Sequence, residues 1–128
     1  MIAVKLRRIF TCLFVFVVYI TLAQDHNQKV RLAKLVIDSN QLDQYNAFLK
    51  EEIETSVRVE PGVITLYAVA EKERPNHITI LEIYASEQAY RYHIQTPHFL
   101  KYKTGTKDMV ISLELIDVNP LVPGMKIK

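Results

Sequence analysis

Several residue types that carry common protein chemistry are scarce in this 128-residue chain. It contains one cysteine, Cys12, three glycines and no tryptophan. A single cysteine excludes an internal disulfide framework and a cysteine-rich zinc site. The three glycines are scattered and form no glycine-rich loop for a phosphate group. The groups that remain for chemistry in this chain are its histidines and carboxylates.

An excess of positive charge is also missing once the N-terminus is set aside. Lys5, Arg7 and Arg8 lie in the first 23 residues, where there is no acidic residue. Without these three, 13 basic residues remain against 14 acidic ones, a net charge of −1. No basic stripe remains along the rest of the chain, so we expect no nucleic-acid partner.

The first 23 residues have the pattern of a secretory signal peptide. The basic residues precede an apolar run at 9–22, and Thr21-Leu22-Ala23 suits signal cleavage. The run is shorter than the roughly 20 residues of a membrane-spanning helix, which favours cleavage over an uncleaved anchor. We therefore expect an exported protein, periplasmic or secreted, that meets the membrane only through this segment. A flexible lead, 24–29, would follow it, and 121–128 would form a tail.

The remaining chain, 30–120, predicts one α+β domain. Short apolar runs predict strands at 30–37, 63–71, 77–85 and 110–118. Apolar residues at helical spacing predict a long helix over 41–59, with Asn40 as its N-cap, and shorter helices over 86–95 and 97–107. The order βαββαβ is that of a ferredoxin-like antiparallel sheet.

The second predicted strand is apolar on both faces, as the run VITLYAVA at 63–70 shows. Two helices can cover only one face of a four-stranded sheet, and the open face of an antiparallel sheet is normally polar. We therefore expect a homodimer in which the sheets of two subunits pack face to face.

The stretch His93-Ile94-Gln95-Thr96-Pro97-His98-Phe99 is the most promising place for chemistry. Ser86 is a good N-cap for the helix before it, and the apolar helical face points His93 inward. Pro97 begins a second helix, which places His98 in its first turn, near His93. An inward histidine, with an ordinary pKa near 6.5, suits proton transfer. A hydrogen-bonded core histidine and an exposed His98 are the alternatives.

This stretch, together with Glu60-Pro61-Gly62 and Leu81-Glu82-Ile83-Tyr84, resembles the antibiotic biosynthesis monooxygenase family of dimeric α+β barrels. The resemblance covers about 30–120 and is greatest to the quinol monooxygenases. The heme-degrading branch does not fit, because 30–37 contains no Asn and the chain has no Trp. Two features depart from the family pattern. Tyr84 stands where relatives often have Trp. Most relatives are cytosolic, whereas this chain is expected to be exported.

The resemblance implies oxygenation of a quinol or phenol by dioxygen without metal, flavin or heme. His93 would be the catalytic base or proton shuttle and His98 its partner. Tyr67, Tyr84 and Phe99 would form an aromatic wall for a flat substrate. The alternative for Tyr67 and Phe99 is ordinary core packing.

Two other functions stay open. An isomerase or degrading enzyme for an autoinducer-2-like, sugar-like molecule would need several polar groups, whereas the candidate pocket looks mostly aromatic. A dimeric, non-catalytic binding or stress-response module would tolerate loss of His93. A metal site is the weakest option, because no Cys or Asp joins His93 and His98 at ligand spacing. Glu82 fits the family pattern, although it could instead pair with Lys34.

Overall fold

The computed structural model describes residues 27–122. The predicted signal segment, 1–23, and most of the predicted tail lie outside these residues. The first strand begins one residue earlier than predicted, so Lys29 belongs to the sheet and not to a flexible lead. The elements are β1 Lys29–Ile37, α1 Leu42–Val59, β2 Val63–Ala70, β3 His77–Tyr84, α2 Glu87–His93, α3 Pro97–Thr106 and β4 Val110–Asp117, with a 3₁₀ turn, Ser39–Gln41, before α1.

The four strands form one antiparallel sheet in the order β2-β3-β1-β4. This is the ferredoxin-like βαββαβ arrangement, and it confirms the predicted fold class. The first and third strands are central, and β1 hydrogen-bonds to both β3 and β4. In the part of the chain that the structure describes, no helix is long and apolar enough to cross a bilayer.

The core lies between one face of the sheet and the helices. Ala33 pairs with Ile80, and Leu35 pairs with Ile78, so these four buried side chains lie on the same face. Tyr45 of α1, which is fully buried, packs against them with other apolar side chains. The apolar stripe predicted along α1 therefore packs against the sheet and faces the core.

The start of α1 differs from the prediction. Asn40 does not cap the helix; its backbone N–H instead donates to Oδ1 of Asp38 at 3.0 Å. Asp38 thus caps the short 3₁₀ turn, and α1 begins two residues after Asn40. Aspartate and asparagine are both good N-caps, so the residue types alone did not decide whether Asp38 or Asn40 is the cap.

The two short helices begin as predicted. The Ser86 hydroxyl accepts a hydrogen bond from the backbone N–H of Ala89 at 3.0 Å. The Thr96 hydroxyl accepts one from Phe99 N–H at 3.3 Å, and Pro97 is the first residue of α3. Thr96 also donates to the backbone carbonyl of His93 at 2.7 Å. These bonds fix the turn between α2 and α3.

The other face of the sheet is open to solvent in the described chain, and it carries exposed apolar side chains of β2 beside polar ones such as Lys34 and Glu114. Tyr67 lies opposite Leu81, which in turn lies opposite Leu32, so the three share this face. Tyr67 is 64% exposed and Val69 is 50% exposed. The predicted helical cover is therefore present on one side only.

Candidate active site

Three side chains from different segments meet behind the second helix. Oε2 of Glu60 lies 2.9 Å from Nδ1 of His93 and 2.6 Å from Nε2 of His98. Glu60 and His93 are buried, and the side chain of His98 is 15% exposed. Because an ionised carboxylate only accepts hydrogen bonds, both ring nitrogens carry their hydrogen in that state. One carboxylate oxygen then fixes the tautomer and orientation of two imidazoles.

A second buried carboxyl group faces His93 from the opposite side. Oε1 of Glu52, on α1, lies 3.3 Å from Nε2 of His93 and accepts a hydrogen bond from the Ser56 hydroxyl at 2.7 Å. Burial raises the pKa of the Glu52 carboxyl, while the Ser56 hydrogen bond and the two histidines act to lower it. The His93 ring therefore lies between two carboxyl groups.

The loop after α1 places Glu60 against α2. Glu60 N–H donates to the carbonyl of Ser56 at 3.0 Å, which ends the helix. Gly62 then approaches α2 so closely that a Cβ atom there would lie 2.7 Å from Cβ of Ala89. Ala85 N–H donates to the carbonyl of Gly62 at 2.8 Å and fixes this approach. The absence of a side chain at Gly62 therefore lets Glu60 reach the histidines.

A cavity of about 670 Å³ lies between the sheet and the helices, beside His93. Its aromatic wall includes Tyr84 and Phe99, whose ring centroids lie 5.3 and 5.0 Å from that of His93. The Tyr84 hydroxyl donates to Oε2 of Glu82 at 3.0 Å. Burial raises the pKa values of both groups, and the neighbouring Glu82 carboxyl raises that of Tyr84 further.

The cavity wall also carries charge, contrary to the mostly aromatic pocket that the sequence predicted. Arg31, Glu52 and Glu82 all line it. Glu82 pairs across the sheet with Arg31, so it does not meet Lys34, which pairs with Thr79. Arg31 is held by hydrogen bonds to the Tyr90 hydroxyl at 2.7 Å and to Asp117 at 3.1 Å. A fixed positive charge and two carboxyl groups therefore line the cavity together with the aromatic rings.

The structure brings together most of the predicted site residues. His93, Tyr84 and Phe99 line the cavity. His98 lies behind them and reaches His93 through Glu60. Tyr67 lies on the opposite face of the sheet, because it pairs with Leu81 and not with Ile80, whose side chain is on the core face. Within the described chain, Tyr67 is therefore not part of the aromatic wall.

Sequence reasoning missed the two carboxyl groups that contact His93. Glu60 belongs to a matched motif, Glu60-Pro61-Gly62, but no role was assigned to it. Glu52 gave a clearer signal, since it is an acidic residue on an otherwise apolar helical stripe. A charged residue is rarely buried without a partner, so that position already indicated a polar site.

The same three side chains are close enough to be considered for a metal ion. The ligating atoms of Glu60, His93 and His98 lie within 4.8 Å of one another. The third group, Glu60, is 33 residues before His93 in the chain, so ligand spacing in the sequence did not indicate it. In the structure both histidines hydrogen-bond directly to Oε2 of Glu60, and a metal ion would have to replace these hydrogen bonds. The geometry is that of a hydrogen-bonded triad.

Fold and site define a ferredoxin-like α+β protein with a cavity lined by aromatic and charged groups and a buried histidine–carboxylate cluster. Residues 29–105 match the sequence model of the family described as antibiotic biosynthesis monooxygenase, and the chain belongs to that family. A comparison with curated proteins found none that matches.

Solved structures agree with this assignment. A protein from Bacteriodes thetaiotaomicron VPI-5482, provisionally named an antibiotic biosynthesis monooxygenase, is 68% identical, with a TM-score of 0.79 over 80% of this chain and 97% of that one. A provisionally named monooxygenase from Lactobacillus acidophilus NCFM is 29% identical, with a TM-score of 0.69 over 72% of this chain and 44% of that one. A structure from Nitrosomonas europaea, 17% identical with a TM-score of 0.70 over 76% of this chain and 93% of that one, shows the same fold.

Proposed function

We propose that this protein is a monooxygenase that acts on a flat quinol or phenol without a bound cofactor. The observation that carries the proposal is the position of His93, at the wall of the cavity and between two carboxyl groups. With Nδ1–H donated to Glu60, Nε2 of His93, which faces Glu52 and the cavity, is the ring atom whose lone pair can take a substrate proton. Membership of the monooxygenase family supports the reaction class.

The proposed reaction begins with transfer of a hydroxyl proton from the substrate to Nε2 of His93. The resulting anion is electron-rich enough to reduce dioxygen, and the cavity keeps water from the intermediates. For a quinol, one oxygen atom joins a ring carbon and the other leaves as water. The products are the hydroxylated quinone and water, so the substrate supplies all four electrons. Tyr84 and Phe99 hold the ring against His93.

We also propose that the working form is an exported homodimer. The face that carries Tyr67 and Val69 is the surface for sheet-on-sheet packing. The exposure of these two side chains, 64% and 50%, supports this packing. The support for export is the signal-like pattern of residues 1–23.

The experiment that tests the reaction uses ¹⁸O₂ and the full-length chain with a panel of quinols and naphthols. A monooxygenase places one ¹⁸O atom in the product and the other in water, as mass spectrometry would show. Products without label beyond the enzyme-free blank would contradict the proposal. A matched pair of variants, His93→Gln in the site and His77→Gln outside it, separates catalysis from autoxidation.

The charged groups of the cavity wall favour a second candidate, an isomerase or degrading enzyme for a small, sugar-like molecule. Arg31, Glu52 and Glu82 would bind several hydroxyl groups of such a substrate. A flat phenol has too few polar groups to pair with all three. The same assay distinguishes the two, because isomerisation consumes no dioxygen. Binding without any turnover would instead indicate a non-catalytic module.

A further inference from the structure

We propose that Arg31 binds a carboxylate group of the substrate, so that the molecule held in the cavity is a hydroxylated aromatic acid. The proposal rests on the proposed function only in placing the aromatic ring and its hydroxyl group beside His93. The anion-binding site itself is formed by β1 and its neighbours, and it is measured by ligand binding without turnover.

The guanidinium group of Arg31 lies in the cavity wall and is held in one orientation. Its Nη1–H donates to the Tyr90 hydroxyl at 2.7 Å, and its Nε–H donates to Oδ1 of Asp117 at 3.1 Å. The guanidinium carbon also lies 4.5 Å from the centroid of the Tyr90 ring, which is a cation–π distance. Contacts from α2 and β4 therefore fix a side chain that is only 12% exposed.

This guanidinium group keeps hydrogen-bond donors for a ligand. In residues 27–122 its hydrogen bonds involve Nε and Nη1 only, two of the five N–H donors that an arginine carries. Nη2 is not among the buried atoms that lack a partner, so it is accessible to a bound molecule. A planar group with donors pointing into a cavity suits a carboxylate, which accepts two parallel N–H bonds.

The neighbouring carboxyl groups do not neutralise this cation. Glu82 pairs with Arg31 across β1 and β3, yet it accepts from the Tyr84 hydroxyl, and the described chain shows no ion pair between Glu82 and Arg31. Glu52 accepts from a serine hydroxyl of its own helix. Asp117 does pair with Nε, but its side chain is 67% exposed, and solvent weakens such a pair.

The charges along the cavity wall also favour an anion. Three cationic side chains line the cavity, Arg31, Lys103 and Lys107, against two acidic ones, Glu52 and Glu82. Burial raises the pKa values of both acidic groups, which weakens their repulsion of an anion.

A pair of tyrosine rings connects this site to the proposed base. The rings of Tyr84 and Tyr90 pack edge to face, with centroids 5.3 Å apart. His93 contacts the first of these rings, and Arg31 contacts the second. In the proposed complex a flat ring lies against Tyr84, its hydroxyl group meets His93 and its carboxylate meets Arg31. A cavity of about 670 Å³ has room for an aromatic acid of one or two rings.

The test is the affinity of the full-length protein for hydroxybenzoates and hydroxynaphthoates and for their carboxamides, measured by calorimetry. The acid and the amide of a pair have the same shape and differ in charge. In the wild type we expect the acid to bind about 10- to 100-fold more tightly, as a hydrogen bond between two charged groups allows. Arg31→Gln should abolish this preference and leave the amide's affinity nearly unchanged. Arg31→Lys should keep part of it, because the charge remains and the planar fork is lost.

Lys29→Gln is the matched control. Lys29 is also 12% exposed, lies 3.3 Å from Oδ1 of Asp117 and lies 5.1 Å from the centroid of the Tyr90 ring. It does not line the cavity, however, so its replacement should leave the preference for the acid in place.

Equal affinity of the wild type for acid and amide, or no binding of any pair, would overturn the proposal even where Arg31→Gln fails to fold. A preference that survives in Arg31→Gln, or that Lys29→Gln loses to the same extent, would overturn it as well. Tighter binding of matching aryl phosphates than of the carboxylates would overturn the assignment to a carboxylic acid.

Dioxygen uptake is a separate measurement and keeps the two proposals apart. Binding of the acids that depends on Arg31, without any oxygenase activity, would support the carboxylate site and contradict the proposed function. Oxygenation of neutral quinols by a protein that does not prefer the acids would do the opposite.

Discussion

Nδ1 of His93 lies 2.9 Å from Oε2 of Glu60, although 33 residues separate the two along the chain. The fold creates this contact by bringing the end of α1 and the end of α2 together at one edge of the sheet. The glutamate holds the ring, and the ring presents its second nitrogen to Glu52 and the cavity. This relationship makes Glu60 a positioning residue, since it acts on a substrate only through His93.

Replacing Glu60 by alanine should destabilise the protein strongly. The change leaves two ring N–H groups without their acceptor in a buried site, and each such loss costs about 1 to 3 kcal/mol. We expect the free energy of unfolding to fall by about 2 to 5 kcal/mol. Denaturant titration measures it, with Glu51→Ala as the exposed control. A loss no larger than that of the control would show that the triad contributes nothing to stability.

The close approach of Gly62 to α2 predicts that substitutions at Gly62 and Ala89 have coupled effects on the free energy of unfolding. Gly62→Ala places a Cβ atom 2.7 Å from Cβ of Ala89, so α2 has to move. We expect a loss of about 1 to 3 kcal/mol in the free energy of unfolding. Ala89→Gly removes the opposing atom, and the double variant should recover part of that loss in a double-mutant cycle. Additive effects of the two changes would contradict the steric explanation.

Much of this arrangement was predictable from the sequence, and the reasons differ between elements. The caps at Ser86 and Thr96, the break at Pro97 and the two-residue alternation of the strands are local signals, and they located both helices and the fold. The contact between Glu60 and the histidines is non-local, so no spacing rule finds it. The wrong face for Tyr67 has a similar cause: both faces of β2 are apolar, and alternation alone does not say which one the helices cover.

The buried carboxyl of Glu82 makes stability depend on pH in a defined direction. Burial raises its pKa in the folded protein above the ordinary value of 4.5. Such a group stabilises the fold below the unfolded-state pKa, and this contribution is lost as the pH rises through the folded-state pKa. Glu82→Gln keeps an acceptor for the Tyr84 hydroxyl and cannot ionise. We expect it to match the wild type in acid and to be more stable at neutral pH.

The measurement is denaturant unfolding of both proteins over a series of pH values. Glu114→Gln, on the exposed part of β4, is the control and should follow the wild type throughout. A Glu82→Gln variant that is less stable than the wild type at neutral pH would show that the ionised carboxylate is stabilised by its surroundings, contrary to the stated effect of burial.

The open face of the sheet predicts the effect of a charge placed on it. Tyr67→Glu puts a carboxylate within the proposed subunit contact, where it would be desolvated without a partner. We expect a dimer in the wild type and a folded monomer in this variant, measured by analytical ultracentrifugation. Tyr92→Glu is a matched control, because Tyr92 on α2 is exposed to a similar extent, 66% against 64%. Dissociation in both variants, or in neither, would place the contact elsewhere.

The measurement that tests the central claim most directly is the initial rate of dioxygen uptake by the full-length protein after treatment with a chelator. It compares the wild type with His93→Gln and His77→Gln, using the same panel of quinols and naphthols. We expect uptake in the wild type and in His77→Gln, and a loss of about 10² to 10⁴-fold in His93→Gln, the usual contribution of a general base. Equal uptake in all three proteins, or none above the enzyme-free blank, would contradict the role of His93 as the base of a monooxygenase.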